Sequence, residues 1–417
     1  MGPLPRQSPP RAAAQSPRRP LSPKLRETSP PPLLRRPSIE TRSPKRRKSL
    51  ASTASESTPR NQCALDLAEV SAEVWLITTL TAKLLWAFRV SFKWVAMFLK
   101  LLTFTFFLAP AFLRIFFFWL YDVRVHKNIR YGTQGRNLLD IYMVPEPKAK
   151  MPVVVFLSGG AWIIGYKAWG ALMGRVLSSY GILVVTPDYR NFPQGILPDM
   201  MDDANVAIAY VFENIHLFGG DPDNITLIGQ SAGAHIGALV LLESIERPEF
   251  ATWKPSRLRN FIGISGPYNI QESIELFHEH GLDRRVLGRI MNNDILHHSP
   301  TDRVRQLPKQ LAAALPTIHL FHGTADTTVN WKSTQLFARV LNKAGATVHV
   351  KYYADKTHTD PIIEDPIQGD DPLLNDVIGI IRTSSPPYSP KLSTTFRPPE
   401  KLCPNFLVHC ARRVNPF

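Results

Sequence analysis

The sequence Gly229-Gln230-Ser231-Ala232-Gly233 constrains the fold more than any other stretch of the chain. It follows the apolar run 225–228 and precedes small and apolar residues, up to residue 242, that suit a helix packed on a sheet. The pattern predicts a strand, a sharp turn at the serine and a helix. The two glycines allow a backbone path that side chains would obstruct. An ordinary strand-to-helix turn remains the alternative for the pentapeptide taken alone.

Strands and helices alternate from residue 122 to about residue 383. Eight strands are predicted, near residues 125–131, 138–143, 153–157, 182–186, 225–229, 261–265, 317–321 and 348–353. Helices are predicted at 167–180, 199–217, 231–243 and 330–344, with an irregular, charged insertion within 244–316 that could cap a site. In this context G-x-S-x-G is the nucleophile elbow of the α/β-hydrolase fold, whose mostly parallel sheet carries helices on both faces.

The segment Ser158–Trp162 directly follows the predicted strand at 153–157. Esterases of this fold place a glycine-rich loop there, and its N–H groups bind the oxyanion of the tetrahedral intermediate. We expect the donors to be the backbone N–H groups of Gly159, Gly160 and Ala232. A tight Gly-Gly turn without catalytic meaning is the alternative interpretation.

Two residues lie where the fold places the acid and the base of a catalytic triad. Asp326 follows the seventh predicted strand and His358 follows the eighth, so the chain order is Ser, Asp, His. We predict that Ser231 is the nucleophile, that His358 is the general base and that Asp326 orients the imidazole. Asp355 and Asp360 are alternatives for the acid. All these groups belong to the protein, so no metal and no organic cofactor is predicted.

Four sequence strings resemble the isoprenylcysteine methylesterases. They are GGAWIIGYKAWG at 159–170, DYRNFPQG at 188–195, GQSAGAH at 229–235 and KTHTD at 356–360. The resemblance covers roughly residues 120–383. It implies hydrolysis of the α-carboxyl methyl ester of a C-terminal prenylated cysteine by an endoplasmic-reticulum or Golgi membrane protein. The implied partners are a prenylated protein, or a prenylcysteine methyl ester, and a lipid bilayer.

The basic charge of the chain is concentrated in its first residues. Residues 1–60 hold fourteen Lys or Arg against three acidic residues, which is +11 of the net charge of +15. With thirteen prolines and ten serines, this stretch cannot bury enough apolar surface to fold, so residues 1–73 are predicted to be a disordered leader. Kinases could phosphorylate its Ser-Pro steps, and a passive leader is the alternative. Nucleic-acid binding is not expected, because no aromatic residues are interleaved with the basic run at 45–48.

Residues 74–121 are predicted to be membrane-associated helices, because they are dense in Leu, Phe, Trp and Val. The second half, Leu101–Tyr121, suits a membrane span with an aromatic end. In the first half, Arg89, Lys93 and Lys100 fall on one helical face, which favours an amphipathic helix in the interface.

The positive leader is expected to stay in the cytosol. A single span would then place the catalytic domain in the lumen, so the sequence favours either two spans or a re-entrant or in-plane hairpin, with the domain facing the cytosol. The three cysteines, Cys63, Cys403 and Cys410, lie outside the predicted catalytic domain at 122–383, which fits a reducing environment. Residues 384–417 are Pro-rich and predicted to be a loose tail.

Two other functions remain open on the sequence. A carboxylesterase or lipase for other hydrophobic esters would use the same triad. The fold also includes non-catalytic receptors, but these have lost members of the triad, and here all three members are present.

Overall fold

The computed structural model describes residues 75, 78–79, 92–145, 150–279, 283–387, 389 and 400–416. The predicted leader at 1–73 and most of the predicted amphipathic segment before Phe92 lie outside these residues. The phosphorylation sites proposed for the leader lie outside them as well.

An eight-stranded sheet forms the centre of the described part of the chain. The strands are β1 Val125–Arg130, β2 Leu138–Tyr142, β3 Met151–Leu157, β4 Leu183–Pro187, β5 Gly220–Gln230, β6 Leu258–Ile264, β7 Thr317–Gly323 and β8 Val348–Tyr353. Their order is β1-β2-β4-β3-β5-β6-β7-β8. The first two strands pair antiparallel, β2 pairs antiparallel with β4, and all other neighbours are parallel. The predicted α/β-hydrolase sheet is confirmed.

Helices cover both faces of this sheet. They are α1 Phe92–Tyr121, α2 Ala171–Ser179, α3 Leu197–Asn214, α4 Ala232–Glu246, α5 Ile270–Glu279, α6 Arg284–Ile290, α7 Pro300–Gln306, α8 Lys309–Ala312, α9 Trp331–Ala344, α10 Glu364–Gln368, α11 Pro372–Ser384 and α12 Asn405–Val414. Strand β3 shows why both faces are covered, because every one of its residues is buried. Val153, Val155 and Leu157 pack with α3 and α4, and the alternate residues Val154 and Phe156 pack with α1, α2 and α11.

The long apolar helix α1 packs along one face on the domain. Its buried side chains recur at the three- and four-residue spacing of a helical stripe: Phe104, Leu108, Ala111, Ile115 and Trp119. The opposite face exposes large apolar side chains: Phe98, Leu99, Leu102, Phe106, Leu113, Phe116, Phe117 and Tyr121. Residues 96–121 are long and apolar enough to cross a membrane by length and composition.

The structure differs from the predicted loose tail at 384–417. Within residues 400–416 the chain forms helix α12, which packs against α1. Leu402, Val408 and Ala411 are buried in the same apolar cluster as the inner face of α1. Arg114, the charged residue in the apolar half of α1, donates to the carbonyl oxygen of Lys401 at 3.3 Å. The sequence of α12 is amphipathic, and the prediction of a loose tail rested on the Pro-rich composition of the segment instead of this pattern. The apolar side of α12 is covered by α1.

Candidate active site

Ser231 occupies a turn of a single residue between β5, which ends at Gln230, and α4, which begins at Ala232. Its φ of 51° is a left-handed conformation that side chains adopt rarely. Such strain at a nucleophile is characteristic of the elbow, which lifts the serine out of the regular strand and helix. The serine N–H donates to the carbonyl oxygen of Ile264 at 2.8 Å, which ties the elbow to the neighbouring strand β6.

The two glycines of the elbow are required by close packing. A side chain at Gly229 would overlap the backbone of Gly233 and Ala234. A side chain at Gly233 would overlap the carbonyl oxygen of Leu157, at the end of β3. The start of α4 therefore presses directly against the end of β3, which brings the loop after β3 next to Ser231.

His358 and Asp326 meet because β7 and β8 are parallel neighbours. Both residues follow the carboxyl ends of these strands, which lie at the same edge of the sheet. His358 Nδ1 lies 2.7 Å from Asp326 Oδ2, and both side chains are buried. The two loops are cross-linked by Ala325 N–H, which donates to the carbonyl oxygen of Lys356 at 3.0 Å. The structure thus brings together the predicted acid and base.

Asp326 is held by more partners than His358 alone. Its Oδ1 accepts hydrogen bonds from the backbone N–H groups of Thr328 and Val329. Its Oδ2 also lies 3.0 Å from His322 Nε2. Burial opposes ionisation of this carboxyl, but its electrostatic attraction to His358 and the hydrogen bonds from the two histidines outweigh it, so the pKa lies well below the usual value. Asp326 is therefore an anion that accepts a hydrogen bond from the Nδ1–H of His358.

His322 is a site residue that sequence reasoning missed. Its Nδ1 lies 2.7 Å from the Thr334 hydroxyl and its Nε2 lies 2.9 Å from the carbonyl oxygen of Val329. The carbonyl oxygen can only accept, so Nε2 carries the proton, which also faces Asp326. The available signal was its place in the strand β7, four residues before the acid.

The remaining nitrogen of His358 faces the elbow. Its Nε2 lies 3.3 Å from the side-chain nitrogen of Gln230, the residue before Ser231. Because Nδ1–H donates to Asp326, Nε2 is the acceptor in this contact. No hydrogen bond joins Nε2 to the Ser231 hydroxyl in the described part of the chain, although both side chains are buried at the same sheet edge. Catalytic hydrogen bonds of this kind often form only when substrate is bound.

Asp360, an alternative acid on the sequence, has other partners. Its Oδ2 accepts from the backbone N–H and hydroxyl of Thr357 at 2.9 and 2.8 Å. Its Oδ1 accepts from Arg412 on α12 at 2.6 Å. Asp355, the other alternative, lies at an exposed turn after β8. Asp326 is the acid whose carboxylate contacts His358.

The loop after β3 follows an unusual backbone path beside the elbow. Gly160 has a φ of 129°, and Ala161 and Trp162 also have positive φ values, of 50° and 62°. A side chain at Gly159 would overlap the Gln230 side chain, which places this loop against the elbow. No backbone acceptor in the described part of the chain receives the N–H groups of the two glycines. The N–H of Ala232, at the first position of α4, has no acceptor within its helix.

Side chains of the string DYRNFPQG, at 188–195, hold the backbone of this loop by hydrogen bonds, either directly or through Arg136. Asp188 forms a two-bond ion pair with Arg136 at 2.6 and 2.9 Å. The same guanidinium and the side-chain amide of Asn191 both donate to the carbonyl oxygen of Gly165, the residue after the turn at 160–164. The hydroxyl of Tyr189 donates to the carbonyl oxygen of Ser158 at 2.6 Å. These side chains fix the backbone of the loop rather than contact a reacting group.

His235, in the string GQSAGAH, connects the loop after β3, residues 158–165 and called the glycine loop from here on, to the insertion at 244–316. Trp162 Nε1–H donates to His235 Nδ1 at 3.1 Å, and His235 Nε2 lies 2.7 Å from the carbonyl oxygen of His298. Complete burial lowers the pKa of His235 to about 3, so the ring is neutral with its proton on Nε2. A single buried side chain therefore joins the glycine loop, α4 and the segment before α7.

A buried ion pair connects the other side of the loop to α1. Lys167 Nζ lies 3.0 Å from Asp140 Oδ1, and both side chains are almost completely buried. Trp119, on the inner face of α1, donates from Nε1 to Asp140 Oδ2 at 2.8 Å. The backbone N–H of Asn128 is the third partner, and donates to Asp140 Oδ1 at 2.9 Å. The carboxylate thus joins α1, β2 and the segment that follows the glycine loop.

Comparisons with known proteins show the family of this chain. A probable isoprenylcysteine alpha-carbonyl methylesterase of Oryza sativa subsp. japonica is 40% identical over 359 residues, covering 84% of this chain and 86% of the relative. An isoprenylcysteine alpha-carbonyl methylesterase of Arabidopsis thaliana is 39% identical over 360 residues, covering 84% of each. The chain belongs to the isoprenylcysteine methylesterase family. A family model described as BD-FAE matches residues 139–341.

Solved structures show the same fold. Esterase B from Lactobacillus rhamnosis matches with a TM-score of 0.53 at 18% identity, covering 69% of this chain and 96% of that one. A truncated carbohydrate esterase from gut microbiota matches with a TM-score of 0.51 at 20% identity, covering 62% and 95%. As a member of the isoprenylcysteine methylesterase family with an α/β-hydrolase fold, the chain is an ester hydrolase.

Proposed function

We propose that this esterase removes the methyl ester from a C-terminal prenylcysteine with Ser231 as its nucleophile. The observation that carries the proposal is the strained elbow at Ser231, at the same sheet edge as a His358–Asp326 pair joined at 2.7 Å. Membership of the isoprenylcysteine methylesterase family supports the substrate class.

The reaction follows from the positions of the protein groups. The Ser231 oxygen attacks the ester carbonyl and its proton passes to His358 Nε2, whose Nδ1–H remains on the Asp326 carboxylate. His358 then returns the proton to the leaving methoxide, which departs as methanol and leaves an acyl-enzyme. Water then attacks the acyl group while His358 Nε2 takes one of its protons and passes it to the departing Ser231 oxygen, and the carboxylic acid so formed releases its proton to solvent as the carboxylate.

The negative charge of both tetrahedral intermediates lies on the former carbonyl oxygen. In the proposal, the N–H groups of Gly159, Gly160 and Ala232 donate to it, because they border the elbow and are not used by backbone acceptors. Removing one donor of this kind typically costs about 3–4 kcal/mol of transition-state stabilisation. All the reacting groups are supplied by the chain itself.

A prenylated substrate is held in a bilayer, so the site must work at a membrane. The outer face of α1 exposes eight large apolar side chains, and its inner face is packed on the domain. Because α1 is packed on the domain from Phe104 to Trp119, it could cross the hydrocarbon core only by breaking these contacts or by drawing the domain into the bilayer. We therefore favour the in-plane arrangement, with α1 lying in the interface of a bilayer. The endoplasmic reticulum or Golgi, with the domain in the cytosol, is the proposed location.

The discriminating experiment compares two substrates on one protein preparation. We expect the detergent-purified full chain to hydrolyse a farnesylcysteine methyl ester with a higher kcat/KM than a short-chain nitrophenyl ester. Preference for the nitrophenyl ester would instead support a general carboxylesterase. A fluorophosphonate probe should label the wild type and not Ser231→Ala. If Ser231→Ala keeps more than about a hundredth of the wild-type rate while folded, the nucleophile is a different residue.

A further inference from the structure

Helix α12 reaches the loop that carries His358. The guanidinium of Arg412 donates from Nε to Asp360 Oδ1 at 2.6 Å and from a terminal nitrogen to Asp365 Oδ1 at 2.7 Å. The other terminal nitrogen donates to Gln368 Oε1 at 3.1 Å. One side chain thus joins the loop at 357–360 to helix α10. Lys356 Nζ also lies 2.7 Å from Asp365, so the two cations share that carboxylate.

Asn415, one residue beyond α12, contacts the residues on both sides of His358. Its side-chain nitrogen lies 3.4 Å from the hydroxyl of Thr357 and 2.8 Å from that of Thr359. It also lies 2.8 Å from Glu364 Oε1, which accepts a hydrogen bond from Thr359 at 3.0 Å. The neighbours of the catalytic histidine are therefore held by the C-terminal segment of the chain.

Most backbone hydrogen bonds of the turn at 357–360 are local, because the carbonyl oxygens of Thr359 and Asp360 accept from residues 362–365 of the same segment; the Lys356 carbonyl oxygen just before the turn accepts from the loop of Asp326. Asp360 closes the turn by accepting from the N–H and hydroxyl of Thr357. The side chain of His358 contacts Asp326 at 2.7 Å and Gln230 at 3.3 Å, and both distances depend on where the backbone of this loop lies. The position of the loop backbone relative to Ser231 also determines whether Nε2 can reach the serine hydroxyl. A displacement of about 1 Å can cost about a hundredfold in rate.

We propose that Arg412 and Asn415 are positioning residues that hold the loop of His358 at the distance from Ser231 required for proton transfer. The proposal rests on the triad put forward above. Neither residue contacts the reacting atoms, so they act through the loop. Their own position is set by α12, which is seated on the inner face of α1 through Val408 and Ala411.

The test compares Arg412→Ala with Arg413→Ala, a change of the next residue, which is exposed on the same helix. In the full chain we expect Arg412→Ala to lower kcat by about tenfold to a hundredfold with little change in KM, because the substrate site is untouched. The rate of fluorophosphonate labelling should fall in parallel, since it also requires the base. Arg412→Lys, which can hold one carboxylate at a time, should recover part of the loss. Arg413→Ala should behave as wild type.

Labelling to completion counts the folded, competent molecules, so kcat is expressed per labelled serine. If Arg412→Ala does not fold, Asn415→Ala serves as the second variant, with an expected loss of kcat of at least about threefold. A kcat per labelled serine within twofold of wild type in the folded variant would overturn the proposal, as would a loss confined to KM. Failure of the wild type to label at all would instead reject the triad, so the two hypotheses fail separately.

Discussion

Asp326 uses both of its carboxylate oxygens, one towards His358 and His322 and the other towards two backbone N–H groups. An amide at this position keeps the shape but presents an NH₂ group to one of these partners. We expect Asp326→Asn to lower kcat by about 10³–10⁴-fold with little change in KM, because the wrong tautomer of His358 is favoured. Steady-state kinetics on the methyl ester measures both constants.

Asp360→Asn is the matched control for that change. Its amide oxygen can still accept from Arg412 or Thr357, so the loop of His358 keeps most of its contacts. We expect a loss of kcat of no more than about tenfold, the equivalent of one weakened charge-assisted hydrogen bond. A larger loss for Asp360→Asn than for Asp326→Asn would exchange the roles of the two carboxylates.

The residues that could be predicted from the sequence are those whose function dictates a local pattern. Ser231 has its two glycines, and Asp326 and His358 each follow a recognisable strand. His322, Gln230 and Arg412 could not be predicted in the same way, because each contributes through a contact that only the folded chain creates. Arg412 acts on a residue 52 positions earlier. No spacing in the sequence encodes such a contact.

At the scale of elements, apolar runs predicted the central strands, such as β3, β4 and β6, because parallel central strands are buried on both faces. For α12 the prediction was wrong, because the Pro-rich composition of residues 384–404 outweighed the amphipathic pattern of the helix itself. The apolar side of that helix is buried against α1. The role of the string DYRNFPQG was also not predictable, since its side chains hydrogen-bond the backbone of the glycine loop, and only the folded chain brings the two segments together.

His235 is the side chain that joins the glycine loop to two other elements. His235→Leu would leave the Trp162 N–H and the His298 carbonyl oxygen buried without this partner. Each unpaired group costs about 1–3 kcal/mol, so we expect a lower urea midpoint together with a lower kcat. His216→Leu, at an exposed position two residues after α3, is the control and should change neither. If His235→Leu leaves kcat unchanged, the glycine loop does not depend on its connection through His235.

The outer face of α1 gives a prediction for membrane binding. Leu102, Phe106 and Phe117 are 50%, 75% and 54% exposed and lie outside the buried cluster of α1, so replacing all three with Glu leaves the side chains that pack on the domain in place. We expect the triple variant to lose binding to phosphatidylcholine vesicles in flotation while keeping its activity on a soluble ester. Lys309→Glu, a single exposed change on α8, controls for added negative charge. Equal flotation of the triple variant and the wild type would show that the outer face of α1 is not the surface that binds the membrane.

At the scale of the whole molecule, the packing of α1 bears on topology. The inner face of α1 is buried from Phe104 to Trp119, and Trp119 is hydrogen-bonded to the buried Asp140. A perpendicular span would have to separate these contacts or draw the domain into the bilayer. An in-plane α1 keeps them and leaves the domain on the side of the membrane where the chain enters. The basic leader, which carries +11, is expected on the cytosolic side.

Engineered glycosylation tests this arrangement in microsomes. Leu392→Asn creates the sequon Asn-Ser-Thr in the Pro-rich segment before α12, and Ala14→Asn creates Asn-Gln-Ser in the leader. Because both sequons should lie in the cytosol, neither should gain a glycan. The same Leu392→Asn chain fused behind a cleavable secretion signal should become glycosylated, which shows that the sequon is accessible when it reaches the lumen. The natural sequon at Asn224 is a poor probe, because that residue is buried in β5. A glycan on Leu392→Asn without the signal would place the domain in the lumen, on the other side of the membrane from a cytosolic prenylated substrate. That result would reject both the in-plane helix and the proposed location.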